Sequence, residues 1–149
     1  MKLKTALYAL PLLAVAYAPS AHAAPVKWRT LPAALTEAKR TGKPIFIDFY
    51  ATWCKPCHIL EKAYATPAMK AETSRYIMVK IDAEKNEAAA RKYNVTNFPT
   101  VVFLNSRGKM VQQKVGFSVP DGVKGEANFV KYAAKDVNAA MKWVRNNKL

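Results

Sequence analysis

Lys43-Pro44-Ile45-Phe46-Ile47-Asp48-Phe49-Tyr50-Ala51-Thr52-Trp53-Cys54-Lys55-Pro56-Cys57-His58 reads as a buried strand that delivers two thiols to its end. The near-continuous apolar run from Ile45 is the pattern of a strand covered on both faces, as in a parallel sheet. Asp48 interrupts that run with a lone carboxylate. Cys54 and Cys57 are the only 2 cysteines of the 149-residue chain. So close together, they would close a very small loop and constrain the unfolded chain little, so a structural staple is a poor explanation. Two thiols at a strand end with an acid behind them describe a redox site.

Outward from this stretch, the N-terminus has the form of a secretory signal. Lys2 and Lys4 precede an apolar run from Thr5 to Ala18, and Ala21-His22-Ala23 supplies the small residues of a cleavage site. Export is expected, with residues 1–23 as signal peptide and residues 24–149 as one domain. The apolar run falls short of the about 20 residues a spanning helix needs, which disfavours a retained anchor. The formal charge is +14. Such a balance steers a protein toward acidic partners or anionic headgroups. The basic residues form no dense run and no nucleic-acid motif, so a solvated basic surface is the simpler reading.

The remaining pattern alternates. Pro25 to Thr30 reads as an extended lead-in, and Leu31 to Arg40 as a helix stopped by Gly42 and Pro44. After the buried strand, a helix is expected from about Cys54 through Tyr64, with Pro56 harmless in its first turn. Thr66-Pro67 starts a second short helix through about Thr73. Tyr76 to Asp82 reads as a strand, Glu84 to Tyr93 as a helix and Val101 to Leu104 as a strand. Asn105 to Gly108 forms a turn, so Met110 to Val115 should return antiparallel. An irregular loop from Phe117 to Gly125 leads to a last helix, Glu126 to Asn146, with Phe129, Ala133, Val137, Ala140 and Val144 as its apolar stripe. The order predicts an α/β domain with a central mixed sheet flanked by helices on both faces. In such sheets ligands are met at the carboxyl ends of the parallel strands.

Trp53-Cys54-Lys55-Pro56-Cys57 after a buried strand, with Phe98-Pro99-Thr100 downstream, resembles thioredoxin over nearly all of the chain from Leu31. The run Gly42 to Ala51 is similar to the C-terminal thioredoxin-like domain of DsbD-type thiol:disulfide interchange proteins. The resemblance implies a thioredoxin fold and a protein-disulfide reductase or interchange activity. It also implies that Asp48 matches the family's buried acid and Pro99 its cis-proline, with the backbone of Phe98 pairing with substrate. Thiolate chemistry fits the residues independently. Cys54 at a helix N-terminus, next to Lys55, would attack. Cys57, one turn in and more buried, would resolve, and Asp48 would take its proton. Lys80 on a neighbouring strand is a possible structural partner of Asp48, although its register differs from the family's usual lysine. Trp53 would shield the site and offer contact surface.

The interval between Cys57 and Pro99 leaves little room for the helical insertion of DsbA-type oxidases. Lys55-Pro56 also stands where oxidases and isomerases often carry histidine. A reductant or interchange protein is therefore favoured over an oxidase or isomerase of the same fold. Two other classes stay open: a binding module whose cysteines merely pair, and c-type haem attachment through Cys54-Lys55-Pro56-Cys57-His58. In the haem reading Met69 is an imaginable axial ligand, though packing suits it better. Neither a cofactor nor a metal is expected, since the cysteines and histidines fall short of a closed zinc site. The implied partners are disulfide-containing exported proteins and a membrane thiol reductant as electron donor. The expected protein acts as a monomer in the periplasm or another exported compartment, without nucleic acid.

Overall fold

The computed structural model describes residues 25–147 and 149. The expected signal peptide lies outside the described residues. Ten elements follow in order: β1 (Trp28–Arg29), α1 (Leu31–Thr41), β2 (Ile45–Tyr50), α2 (Lys55–Tyr64), α3 (Pro67–Thr73), β3 (Ile77–Asp82), α4 (Glu87–Lys92), β4 (Thr100–Leu104), β5 (Met110–Val115) and α5 (Glu126–Asn147). One sheet carries the strands in the order β1-β3-β2-β4-β5. β3 runs parallel to both β1 and β2, while β4 is antiparallel to β2 and to β5. The predicted mixed α/β sheet is the observed one, a thioredoxin fold.

β2 is central because both of its faces are covered. Ile45, Ile47 and Phe49 pack on one side with Ala34 and Ala38 of α1 and Ala89 and Ala90 of α4. Phe46 faces the other side, into the cluster of Leu60, Tyr64, Phe103, Val137 and Met141 from α2, β4 and α5. Alternation along the strand places Asp48 on this second face. Phe46 meets Tyr64, Tyr76 and Phe103 edge-on, with centroids 5.3–6.3 Å apart, a geometry aromatic quadrupoles prefer. Each such large buried side chain contributes about 1.5–3 kcal/mol through area alone.

Local chemistry fixes the ends of α1. Thr30 Oγ1 accepts from Ala33 N, and Gly42 closes the helix in the left-handed region at φ 73°, its N–H donating to Ala38 O at 2.8 Å. Two sequence expectations shift. The lead-in contains a short edge strand, β1, which is too brief to show a pattern of its own. α4 starts at Glu87 instead of Glu84, because Asp82 Oδ1 accepts from the backbone N–H groups of Glu84 and Lys85 and holds them in a turn. Asn86 Oδ1 then caps the helix by accepting from Ala89 N at 3.1 Å. On α5 the buried stripe also takes in Met141 and Asn138, while Phe129 stays half-buried.

Candidate functional site

Cys54 lies at the N-cap of α2, immediately beyond the carboxyl end of β2, and is joined to Cys57 in a disulfide with 5.3 Å between the Cα atoms. Cys54 Sγ accepts from Cys57 N at 3.2 Å. The first turn of α2 holds no acidic residue, so nothing there opposes a negative charge on that sulfur, and the helix N-terminus favours one. Lys55 and Pro56 are exposed beside it. Contrary to expectation, Cys57 is not the more buried of the pair: the two residues are 3 % and 5 % exposed. Both lie against Ala51, Tyr50 and Phe98, so the aromatic neighbours cover Cys54 as well.

Asp48 is 1 % exposed, six residues before Cys54 on the same strand. Burial pushes its carboxyl up from 3.8 to about 7. Lys80, directly opposite in the β2–β3 register, pulls the other way, as does the Tyr64 phenol. Glu61 adds a smaller upward push. Lys80 does not close an ion pair with Asp48. Its Nζ donates to Glu61 Oε1 at 2.7 Å and sits 4.6 Å from the Tyr50 ring centroid. Asp48 Oδ1 and Tyr64 Oη are both buried, and neither makes a well-formed hydrogen bond. The phenol lowers the acid's pKa by proximity, and burial together with Asp48 pushes the phenol's own well above its usual value. An acid half-ionised near neutrality, with one unpaired oxygen, is set up to exchange a proton.

On the far side of the sulfurs the Phe98–Pro99 peptide is cis. Pro99 presents no N–H, and its carbonyl is occupied by Gly116 N at 2.7 Å. Trp53 is 65 % exposed, its indole N–H donating to Glu84 Oε1 at 2.7 Å and its ring meeting Phe98 edge-on at 6.0 Å. The structure thus gathers Trp53, Cys54, Lys55, Pro56, Cys57, Phe98 and Pro99 at one end of the sheet, with Asp48 buried six residues before Cys54 on β2. His58 is exposed, with Nε2 3.1 Å from the Thr52 carbonyl oxygen. Met69 is fully buried in the core beside Leu60 and Tyr64, too far inside to serve a surface group.

Two features of the site escaped the sequence reading. Tyr64 was visible only as the end of a helix, and its contact with Asp48 depends on α2 crossing β2. The second is an open groove of about 720 Å³ beside the disulfide, walled by Pro56, Ile59, Pro99, Phe117, Val119 and Phe129. Phe117 and Val119 sit in what reads as an irregular loop. Their alternating apolar character was the available signal.

The Thioredoxin family profile matches residues 32–127. A thioredoxin of Mycoplasmoides gallisepticum is 33 % identical over 92 residues, covering 62 % of this chain and 89 % of that protein. Thiol:disulfide interchange protein DsbD 1 of Pseudomonas aeruginosa is 32 % identical over 105 residues, 60 % of this chain but 18 % of the larger protein. Among solved structures, a disulphide isomerase from Xylella fastidiosa Temecula1 superposes with a TM-score of 0.55 at 28 % identity, covering 70 % of this chain and 86 % of that one. With the fold, the paired cysteines and these relatives in agreement, the chain belongs to the thioredoxin family, as a thiol:disulfide oxidoreductase carrying the Cys54–Cys57 pair.

Proposed function

We propose that this oxidoreductase is exported and reduces or interchanges disulfides in other exported proteins. In the dithiol form, the Cys54 thiolate attacks one sulfur of a substrate disulfide; a mixed disulfide forms and the first substrate thiolate leaves. Asp48 takes the proton of Cys57, whose thiolate attacks Cys54 Sγ and releases the second substrate thiolate. Two electrons have then passed to the substrate, and the enzyme is left as its Cys54–Cys57 disulfide. A thiol reductant in the membrane would restore the dithiol, in line with the likeness to one part of DsbD. The backbone at Phe98 would pair with an extended substrate segment, and the apolar groove walled by Phe117 and Phe129 would take a neighbouring side chain.

The observation that carries this reading is Cys54 Sγ at the N-cap of α2, receiving the Cys57 N–H. A helix N-terminus and a backbone N–H at that sulfur favour the thiolate that disulfide exchange requires. The reducing direction rests on Lys55-Pro56 between the cysteines. Purified protein, reduced and mixed with insulin and a dithiol donor, should precipitate the insulin chains. Cys54→Ser should abolish that activity, whereas Cys57→Ser should accumulate the mixed disulfide. Undiminished insulin reduction by Cys54→Ser would refute the assignment.

A further inference from the structure

The sequence spreads its basic residues along the chain, and the fold collects them. At the end of the sheet opposite Cys54, β2 and β3 begin and β4 ends, since Ile45 pairs with Ile77 and with Leu104. Lys39 and Arg40 stand there in the last turn of α1, and Lys43 follows, donating to Ser74 O at 3.3 Å. Arg107 and Lys109 belong to the β4–β5 turn, which rests on α1: a Cβ at Gly108 would meet Leu35 Cδ2 at 2.7 Å. Lys39, Arg40, Lys43, Arg107 and Lys109 are all exposed. A cleft of about 360 Å³ at the same end is lined by Lys27, Arg29, Lys43 and Lys70 together with Pro25.

The acidic side chains there are already engaged. Glu37 meets Arg29 at 3.1 Å, and buried Glu72 meets Arg145 at 3.3 Å and Arg75 at 3.7 Å. The disulfide end mixes the two signs: Glu84 accepts from the Trp53 indole at 2.7 Å, Glu87 meets Arg91 at 2.8 Å and Glu126 meets Lys62 at 2.6 Å, with Lys55, Asp121 and Lys124 exposed beside them in the chain. Cations at helix C-termini answer the helix dipole, which accounts for Lys39 and Arg40. It does not account for Arg107 and Lys109 in a turn between strands, or for a cleft ringed with lysines.

We infer that this basic pole docks on an anionic lipid surface and holds the disulfide on the side of the molecule away from it. A further observation favours lipid over nucleic acid or an acidic protein. Trp143, near the end of α5, is 47 % exposed, and Leu149 beyond it is 51 % exposed; indole rings favour the headgroup region of a bilayer. Basic residues close to an anionic bilayer contribute about fivefold in affinity each, and the attraction fades beyond a Debye length of about 10 Å.

The test uses the full chain and its variants with vesicles of phosphatidylcholine alone or mixed with phosphatidylglycerol. The readout is the ratio of binding to mixed over neutral vesicles, so whatever the N-terminal residues add cancels between variants. Lys39→Glu/Arg107→Glu/Lys109→Glu should lower that ratio roughly tenfold or more. Lys85→Glu/Lys124→Glu/Lys131→Glu, with the same change in net charge, should keep it within about threefold. Trp143 emission should shift to the blue on binding in the wild type. Both variants should reduce insulin as the wild type does, which checks folding and keeps this outcome separate from the redox reading. A wild-type ratio near one, equal losses in the two variants, or displacement by duplex DNA would overturn the inference.

Discussion

Asp48 is a carboxyl buried between Ile47 and Phe49 along β2, and its protonation follows chiefly from that burial. In the folded chain it holds its proton up to about 7, whereas an unfolded aspartate releases it above 3.8. The folded state therefore binds the extra proton between those values, and stability declines as pH rises from 3.8 through about 7. The decline amounts to something on the order of 4 kcal/mol. Asp48→Asn should abolish it and be more stable than the wild type above neutrality, as urea unfolding over a pH series would show. The same substitution should slow resolution of the mixed disulfide on the order of a hundredfold. Lys80→Met removes the cation that lowers the Asp48 pKa, so the acid limb of the pH–rate profile should move to higher pH. An unmoved limb would mean that Asp48 does not limit the reaction. The sequence showed Asp48 as an anomaly and Lys80 as a neighbour. It did not show Glu61 and Tyr64 around them, because those contacts depend on how α2 lies across β2.

At the scale of elements, the strands and helices were legible wherever burial writes a period into the chain. Ile45 to Tyr50 reads as a strand because both faces are covered, and α1 stops where Gly42 supplies a left-handed cap. What failed was set by side-chain capping or by length. Asp82 and Asn86 delay α4, and the two residues of β1 are recognisable only from their pairing with Met78 and Val79. The turn at Gly108 links element to element: its φ is 82° and its missing Cβ leaves room for Leu35. Gly108→Ala should destabilise the domain by about 1–3 kcal/mol through backbone strain, with contact against Leu35 adding to it. The measurement is the midpoint of urea unfolding. The groove beside the disulfide belongs to this scale as well. Phe117→Ser should raise KM for a folded protein substrate several-fold while leaving kcat for a small disulfide unchanged, since it removes a wall and no reacting group.

Viewed whole, the molecule has two unlike ends. One presents the cysteines, Pro99 and an apolar groove; the other collects cations that appear scattered in the sequence and become a pole only when the parallel and antiparallel strands bring their ends together. The redox chemistry was legible in a pentapeptide and a distant proline, because a helix start favours a thiolate and a residue without an N–H leaves the approach to it open. The direction of electron flow depends on the relative stability of the dithiol and disulfide forms, to which Lys55-Pro56, the N-cap bond and Asp48 all contribute. Titration of the Cys54/Cys57 pair against a glutathione redox buffer measures that balance directly. The account predicts a midpoint near that of thioredoxin, about −270 mV, and a midpoint near the about −120 mV of a strong disulfide oxidant would contradict it.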